Sequence, residues 1–362
     1  MLRAAAALAI LVGHAYALGG RAIPIKAQYW YDVPLITLAT GVWLFFAVSG
    51  YVIGRPLVDA LVRGQPLPAM RSYAVRRVVR IYPLYWIALT AVIALNGGRG
   101  TRVWQYVIHY LLLNNLVPGR QGALFSVAWT LTLEVLFYVT LPVLALAIRA
   151  WHPSSPATWL ARAVLVSWAL SIAFTAIADL QGDGQTGLWL RGSLPAMWQM
   201  FCPGLLIAIG PHLPRGRLRG LLVTLPRRPW VWPAVALAAI VPGALLGAAA
   251  PLRFGIPVYQ LLVDASRPLF AIGYGLVLAA AIAAPPGRRR IAPVLGLASY
   301  GIYLLHPVIA ALLQRTGIVP AQGDTVTAFA VNAIVLAGLT IALALLSWRW
   351  LERPLLRRAA AV

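Results

Sequence analysis

Eleven apolar runs separated by short polar loops constrain the fold of this 362-residue chain more than any other feature of its sequence. They cover residues 2–18, 33–54, 81–96, 103–117, 125–148, 160–178, 193–210, 231–249, 266–284, 292–313 and 325–348. About 20 apolar residues in a helix cross a bilayer core about 30 Å thick. Because backbone polar groups find no partners in lipid, helices are the usual spanning elements. The pattern predicts an all-α, polytopic transmembrane helix bundle.

Composition supports a membrane protein and excludes other classes. Hydrophobic residues make up 61% of the chain and charged residues 10%, whereas soluble domains carry about 25% charged residues. The net charge is +22. Its arginines lie in short loops between the apolar runs, which is typical of charges that set membrane topology. We therefore expect the lipid bilayer as a partner and no nucleic acid. The single cysteine gives neither a disulfide framework nor a thiolate metal set, and we predict no metal site.

The distribution of basic residues predicts the topology. The run 103–117 is short and polar in part, which favours an interfacial or re-entrant helix over a span. With ten spans and both termini cytoplasmic, 21 of the 30 lysines and arginines lie in cytoplasmic segments, as the positive-inside rule requires. We therefore expect a multi-pass protein of the cell (plasma or inner) membrane. A single membrane-embedded domain over residues 1–362, with no soluble C-terminal domain, is expected.

The first helix carries an ionisable residue at an unusual depth. Eleven positions of helix separate Arg3 from His14, which at about 1.5 Å per residue is roughly 16 Å. His14 then lies near the middle of the membrane, where ionisable side chains are costly and mark functional sites. We interpret His14 as a general base, and the alternative is a structural histidine satisfied by a backbone carbonyl. Residues 1–20 also resemble a signal peptide, but a cleaved segment has no need of this histidine.

Two further ionisable residues lie at a similar depth. Glu134 stands in an otherwise apolar run, so we predict that it pairs with His14, fixes its tautomer and stabilises the imidazolium. The alternative is a structural ion pair. His306 lies in the outer half of its span and is either a structural or a site residue.

A basic cluster and a serine complete the candidate residues. The loop Arg71–Pro83 leads into a span and contains Arg76, Arg77 and Arg80, whose guanidinium groups suit phosphate oxygens. Topogenic charge is the alternative explanation for this cluster. Ser49 lies beside Gly50 and lacks the context of a serine nucleophile, so close helix packing or pore lining is the favoured role.

Six short motifs follow one another along the chain. They are Arg3-x10-His14, Gly41-Val42-x-Leu44-Phe45-Phe46-x-x-Ser49-Gly50-Tyr51, Arg76-Arg77-x-x-Arg80-Ile81-Tyr82-Pro83, Trp129-Thr130-Leu131-x-x-Glu134-x-x-Phe137-Tyr138, Ser299-Tyr300-x-x-Tyr303-Leu304-x-His306 and Glu352-Arg353-Pro354. Each is weak alone, but the ordered set resembles the acyltransferase-3 family of integral-membrane acyltransferases across nearly the whole chain.

The resemblance implies a ten-span fold and transfer of an acyl group, usually acetyl, to a hydroxyl of a sugar, glycolipid, polysaccharide or macrolide. It implies acetyl-CoA or another acyl-CoA as co-substrate, with no permanently bound cofactor. Arg3 and His14 are the implied functional pair, and Arg3 is grouped with the donor-binding arginines. Residues implied to bind substrate or support the site are Ser49, Trp129, Tyr138, Tyr303 and His306. Trp43 stands where the family often has aspartate, which leaves the role of that carboxylate open.

A transporter or flippase is the rival function. Intramembrane histidine and glutamate also serve proton relays, and such a protein would move a lipid-linked sugar instead of acylating it. The basic cluster of Arg76, Arg77 and Arg80, combined with one histidine deep in the membrane, favours the acyltransferase. Release of free thiol from acetyl-CoA by the purified protein separates the two.

The ten-span topology is tested with reporter fusions. Fusions after Gly64 and after Arg289 are expected to report a cytoplasmic location, and a fusion after Gly255 an external one, because this assignment keeps most arginines inside. Alkaline phosphatase and fluorescent-protein reporters show on which side of the membrane each fusion point lies. A cytoplasmic signal from the Gly255 fusion contradicts the ten-span arrangement.

Overall fold

The computed structural model describes residues 2–15, 18, 37–97, 101–151, 153–182, 184–224, 237, 240–241, 256–284, 291–318 and 326–360. Within these ranges the regular elements are helices, and no strand occurs among them. The predicted all-α fold is confirmed.

The helices are numbered here in chain order. They are α1 (Leu2–Ala15), α2 (Gly41–Val62), α3 (Met70–Asn96), α4 (Val103–Tyr110), α5 (Ala128–Trp151), α6 (Pro156–Asp179), α7 (Gln185–Arg191), α8 (Leu194–Ile209), α9 (Ile256–Ala283), α10 (Ile291–Thr316), α11 (Val326–Ser347) and α12 (Arg353–Ala359). Short 3-10 or π turns lie at Asn114–Leu116, Gly210–His212, Gly220–Thr224 and Trp348–Glu352.

Eight helical segments in the described part of the chain are long and apolar enough to cross a membrane. Helix α1 has 14 residues, which rise about 21 Å and fall short of a full hydrocarbon core. These segments and α1 account for nine of the ten predicted spans. The remaining one, at 231–249, lies outside the described residues apart from Leu237 and residues 240–241.

The predicted interfacial or re-entrant segment at 103–117 forms a short helix and a turn. Helix α4 has 8 residues and rises only about 12 Å, so it cannot cross a bilayer. The chain then passes through Leu112, which has a φ of 55°, before the 3-10 turn at Asn114–Leu116. This break in the helix separates the segment from the spans, in agreement with the sequence.

The basic segment before the third predicted run is helical, and its assignment to a loop is wrong. Helix α3 begins at Met70 and continues to Asn96 through Pro83. Hydropathy located only the apolar half, from about Ile81, because the preceding turns alternate arginine with valine. Nothing between Met70 and Pro83 breaks a helix, and proline removes only the bond to the carbonyl four residues earlier.

The described residues form two compact units, each discontinuous in sequence. One contains residues 1–42, 71–132 and 288–362, and the other residues 43–70 and 133–287. In the first unit α1 packs against α10 and α11, which also pack together. In the second unit α6, α8 and α9 pack pairwise. The expectation of a single domain over the whole chain stays a prediction.

Glycines allow the closest helix approach in the second unit. A Cβ at Gly50 of α2 would collide with the backbone carbonyl of Phe201, and a Cβ at Gly204 of α8 would collide with the carbonyl of Ala47. The two helices therefore meet backbone to backbone, as small residues permit in membranes. The close helix approach expected around Ser49 and Gly50 is seen at Gly50. A second small-residue motif that is typical of helix packing, Gly243-x-x-x-Gly247, lies outside the described residues.

The glycine contact between α2 and α8 is tested with Gly204→Ala. The new methyl group has only backbone atoms in front of it, so the helices must separate, and overpacking costs about 1–3 kcal/mol. We expect a lower melting temperature in detergent. Gly338→Ala on α11 is the matched control, because a Cβ there would have no described atom within 4 Å apart from the adjoining backbone of its own helix. Equal melting temperatures for the two variants would contradict the close contact.

Candidate active site

His14 lies one residue before the end of α1, and its own helix fixes the position of its proton. The ring Nδ1 is 2.8 Å from the carbonyl oxygen of Ile10. A carbonyl only accepts, so Nδ1 carries the hydrogen and donates it. In the neutral ring, Nε2 then holds the lone pair. The imidazole is thus oriented with its basic nitrogen directed away from its own backbone partner.

Arg3 and His14 lie on one side of α1. Their separation of eleven positions corresponds to about three helical turns at 3.6 residues per turn. The side chains therefore project in nearly the same direction at opposite ends of the helix. Ala7 and Leu11, on intervening turns, are buried.

His306 of α10 is the neighbour of His14 within the first unit. The two ring centroids are 5.0 Å apart, with the ring planes tilted by 57°. His306 is fully buried, and neither ring nitrogen has a partner of hydrogen-bond geometry among the described residues. A buried polar group without a partner is costly, which makes His306 an unusual feature of a helix core.

Tyr303 connects this histidine pair to α5. Its ring lies 5.9 Å from the ring of His306, one helical turn along α10. Its hydroxyl is 2.6 Å from that of Thr130, and Thr130 donates to the carbonyl of Val127 at 2.9 Å. The Tyr303 hydroxyl also lies 3.5 Å from the Val127 carbonyl, so both hydroxyl groups have this oxygen as an acceptor. Thr130 and Tyr303 are both buried.

A buried amide network holds the turn after α4 against the start of α5. Asn114 donates to Asn115 at 2.9 Å, and Asn115 donates to the backbone carbonyl of Trp129 at 2.9 Å. Thr132 donates to the Asn114 side-chain oxygen at 2.7 Å. Trp129 is thereby positioned through its backbone.

His109 of α4 has ordinary partners for both ring nitrogens. Nδ1 is 2.7 Å from the carbonyl of Gln105, and the backbone N–H of Leu124 donates to Nε2 at 3.4 Å. Burial lowers the pKa of His109 below its usual value, which agrees with a neutral ring that donates at one nitrogen and accepts at the other. His109 is a structural residue.

The three candidate donor-binding arginines lie on the first turns of α3 and differ in exposure. Arg76 is exposed, whereas Arg77 and Arg80 are half-buried. The Arg77 guanidinium carbon lies 5.4 Å from the centroid of the Tyr73 ring, a cation–π contact. Arg80 interacts electrostatically with the buried carboxyl of Glu352. Arg76 is therefore the member of the cluster most open to a phosphate.

In the second unit, two hydroxyl groups hold Glu134. Ser49 donates to Oε1 at 2.9 Å, and the Tyr138 hydroxyl donates to the same oxygen. No hydrogen bond reaches Oε2 within the described residues. Ser49 and Tyr138 are buried, while Glu134 is half-buried. The carboxyl group has one oxygen fixed and one left for a further donor.

A comparison with protein-family models gives one match of near-complete extent. The model of the acyltransferase-3 family, which describes an acyltransferase domain, matches residues 1–349. The chain belongs to the acyltransferase-3 family. It is a multi-pass membrane acyltransferase.

Several named relatives support the family. The chain is 28% identical to Nodulation protein 10 of Rhizobium leguminosarum bv. viciae, over 99% of this chain and 92% of that protein. It is 26% identical to the exopolysaccharide production protein ExoZ of Rhizobium meliloti, over 89% and 91%. It is 28% identical to the putative membrane-bound transacylase BcsY of Komagataeibacter xylinus, over 86% and 75%. No solved structure matches the chain.

The structure divides the candidate residues of this acyltransferase between the two units. The first unit holds Arg3, His14, Arg76, Arg77, Arg80, Trp129, Tyr303 and His306, and the second holds Ser49, Glu134 and Tyr138. The predicted pairing of His14 with Glu134 joins residues of different units and stays a prediction.

The contact of His14 with His306 and the bond between Thr130 and Tyr303 were not predicted from the sequence. The available signal was helical spacing, because Tyr303 and His306, three positions apart, share one face of α10. Thr130 adjoins Trp129 in a motif already recognised.

Proposed function

We propose that this acyltransferase moves an acyl group, acetyl in the first instance, from cytoplasmic acyl-CoA to a hydroxyl of a glycan or glycolipid. His14 is the general base. The observation that carries the proposal is the hydrogen bond from His14 Nδ1 to the Ile10 carbonyl, because it leaves Nε2 as the proton acceptor. Imidazole is the usual base for such a step near neutral pH.

The proposed reaction is one direct transfer. The acceptor oxygen attacks the thioester carbonyl carbon while its proton passes to His14 Nε2. The tetrahedral intermediate then expels the CoA sulfur, which takes the proton back from the imidazolium. The products are an ester and free CoA thiol, and His14 returns to its neutral form. No cysteine or motif-supported serine is available as a nucleophile in this scheme.

The donor enters from the cytoplasm in this proposal. Its nucleotide is too highly charged to enter the bilayer core, whereas the pantetheine arm is long and nearly uncharged. The nucleotide phosphates bind at the arginines of α3, and the arm extends between helices to the plane of His14. The exposure of Arg76 supports this role.

The acceptor is inferred from the relatives. One is named for exopolysaccharide production, and polysaccharides carry hydroxyl groups suited to acylation. Membership of an acyltransferase family argues against the transporter or flippase function. Mass spectrometry of surface glycans from a deletion strain identifies the acceptor and the acyl group.

The base is tested with His14→Ala. Loss of a general base typically lowers the rate by about 10²–10⁴, so turnover is expected to fall by that factor while donor binding stays near the wild-type level. Thiol release from acetyl-CoA in the presence of acceptor measures turnover. His14→Asn is the matched control, because its amide N–H can still donate to the Ile10 carbonyl but offers no basic nitrogen. Full activity in either variant contradicts the role of His14.

The direct step has one alternative, an acyl-histidine relay through His14. Rapid quench with radiolabelled acetyl-CoA and no acceptor separates them. We expect no labelled protein. Label that maps to His14 overturns the direct transfer while leaving the acyltransferase function intact.

Donor binding is tested at Arg76. A hydrogen bond to a charged group is typically strong enough that its loss weakens binding about tenfold or more. We expect Arg76→Ala to raise the KM for acyl-CoA by that factor with little change in kcat. Arg71→Ala is the matched control, because Arg71 is also exposed on α3 but projects in another direction. Unchanged affinity of Arg76→Ala for acyl-CoA would mean that the arginine cluster only sets the membrane topology.

Glu134 is proposed to stabilise the imidazolium formed at His14. Hydrogen bonds from Ser49 and Tyr138 hold one of its carboxyl oxygens in place, which supports a role for its negative charge at a fixed position. Glu134→Gln keeps the shape and removes the charge. We expect it to lower kcat more than it raises KM. Tyr138→Phe, which removes one anchor and leaves the carboxylate, should have a smaller effect on kcat. A larger effect in Tyr138→Phe would contradict the charge-based role.

A further inference from the structure

A basic pocket lies where α2 and α5 end and α6 begins, within the second unit. It has a volume of about 440 Å³ and is lined by residues 60–65, Ile148, Arg149, Pro153 and Pro156. Among the described residues that line it, Arg63 and Arg149 are charged and none is a carboxylate. Both arginines are exposed. An anion entering this pocket therefore meets two guanidinium groups without a competing acid.

One arginine also shapes the pocket. Arg149 donates to the backbone carbonyl of Gln65 at 2.9 Å, which ties the turn after α2 to the end of α5. The turn itself is a helix cap, in which Gly64 has a φ of 64° and the Gln65 N–H donates to the Ala60 carbonyl at 2.9 Å. Arg63 has no ion-pair partner among the described residues, so its charge is available to a ligand.

An apolar groove continues from this pocket along the same unit. It has a volume of about 340 Å³ and an almost wholly apolar lining from α2, α5, α6 and α8. Leu61 and Ile148 line both cavities, so the two are contiguous. On α5 the groove extends from Leu141 to Trp151, a rise of about 15 Å. This is about half of a hydrocarbon core of about 30 Å, the depth of one leaflet.

Two tryptophans mark the level at which pocket and groove meet. The rings of Trp151 and Trp159 have centroids 6.0 Å apart, and both residues line the groove. Trp151 is 73% exposed. Tryptophan is enriched at the membrane–water interface, where its ring sits at the level of the lipid headgroups. The pocket therefore lies at headgroup depth and the groove at acyl-chain depth.

We propose that the basic pocket and the apolar groove together bind one phospholipid with a net negative headgroup. Its phosphate lies between Arg63 and Arg149, and one acyl chain follows the groove along α5. The combination of charge and shape selects this occupant, because a free phosphate uses only the pocket and a zwitterionic lipid gains less from two arginines. Basic pockets between membrane helices are known to suit acidic headgroups. The site is independent of the proposed reaction.

The inference is tested by lipid retention and affinity. The full chain is reconstituted in nanodiscs of phosphatidylcholine with a minor fraction of phosphatidylglycerol, released into detergent, and examined by native mass spectrometry. We expect one phosphatidylglycerol per protein. In Arg63→Gln/Arg149→Gln the affinity for this lipid should fall on the order of 30-fold, since each arginine near a membrane surface contributes to binding acidic lipid.

Two controls separate a lipid site from general charge effects. Arg162→Gln removes an exposed arginine of α6 that lines neither cavity, and it should retain the lipid at the wild-type level. Ala163→Trp fills the groove and leaves both arginines in place, and it should also lower retention. Melting temperatures in lipid-free detergent establish that each variant is folded.

Four outcomes overturn the proposal. One is equal retention of phosphatidylglycerol by Arg63→Gln/Arg149→Gln and the unchanged protein. Another is equal retention of phosphatidylcholine and phosphatidylglycerol. A third is displacement of the lipid by millimolar inorganic phosphate or glycerol phosphate, which identifies a soluble anion site. Loss of lipid in Arg162→Gln to the same degree assigns the effect to net charge and also rejects the site.

Discussion

Hydrocarbon offers no hydrogen bonds, and this constraint determines how the polar side chains of the protein are arranged. His14 donates to a carbonyl one turn earlier on its own helix, and His109 does the same on α4. Thr130 donates to Val127 in the same manner. Each of these bonds is formed within a few residues of the chain. The polar side chain therefore has a partner in the apolar interior that does not depend on a distant element. His306 departs from the pattern, because neither of its ring nitrogens has a partner of good hydrogen-bond geometry among the described residues.

Burial and hydrogen bonding are separate properties of the histidines in this protein. His109 and His306 are both fully buried, but both nitrogens of His109 are occupied. His306 instead lies against the ring of His14 and one turn from Tyr303. A buried imidazole without a hydrogen bond is costly, and its contact with the ring of the candidate base is consistent with the proposed site role of His306.

The sequence predicted the all-helical spans because apolar length and arginine placement depend on local composition. It failed at the start of α3, where the helix continues beyond the apolar run and hydropathy carries no signal. Helix-rise counting gave Glu134 and His306 depths similar to that of His14, but depth says nothing about direction around the helix axis. The packing of α1 against α10 identified His306 as a neighbour, and no local pattern contains that information. The hydrogen bond between Thr130 and Tyr303 could not be predicted for the same reason, because these residues are 173 positions apart in the sequence.

The contact between α1 and α10 also has a consequence in time. Helix α1 is made early and α10 late, with most of the chain between them. At about 5–20 residues per second, His14 spends on the order of tens of seconds in the membrane before His306 is synthesised. During that interval its bond to Ile10 is available, because both residues belong to the same helix. A nascent chain interrupted before α10 would contain the imidazole in its correct tautomer but lack its neighbouring ring, so such fragments in the membrane would be without this part of the site.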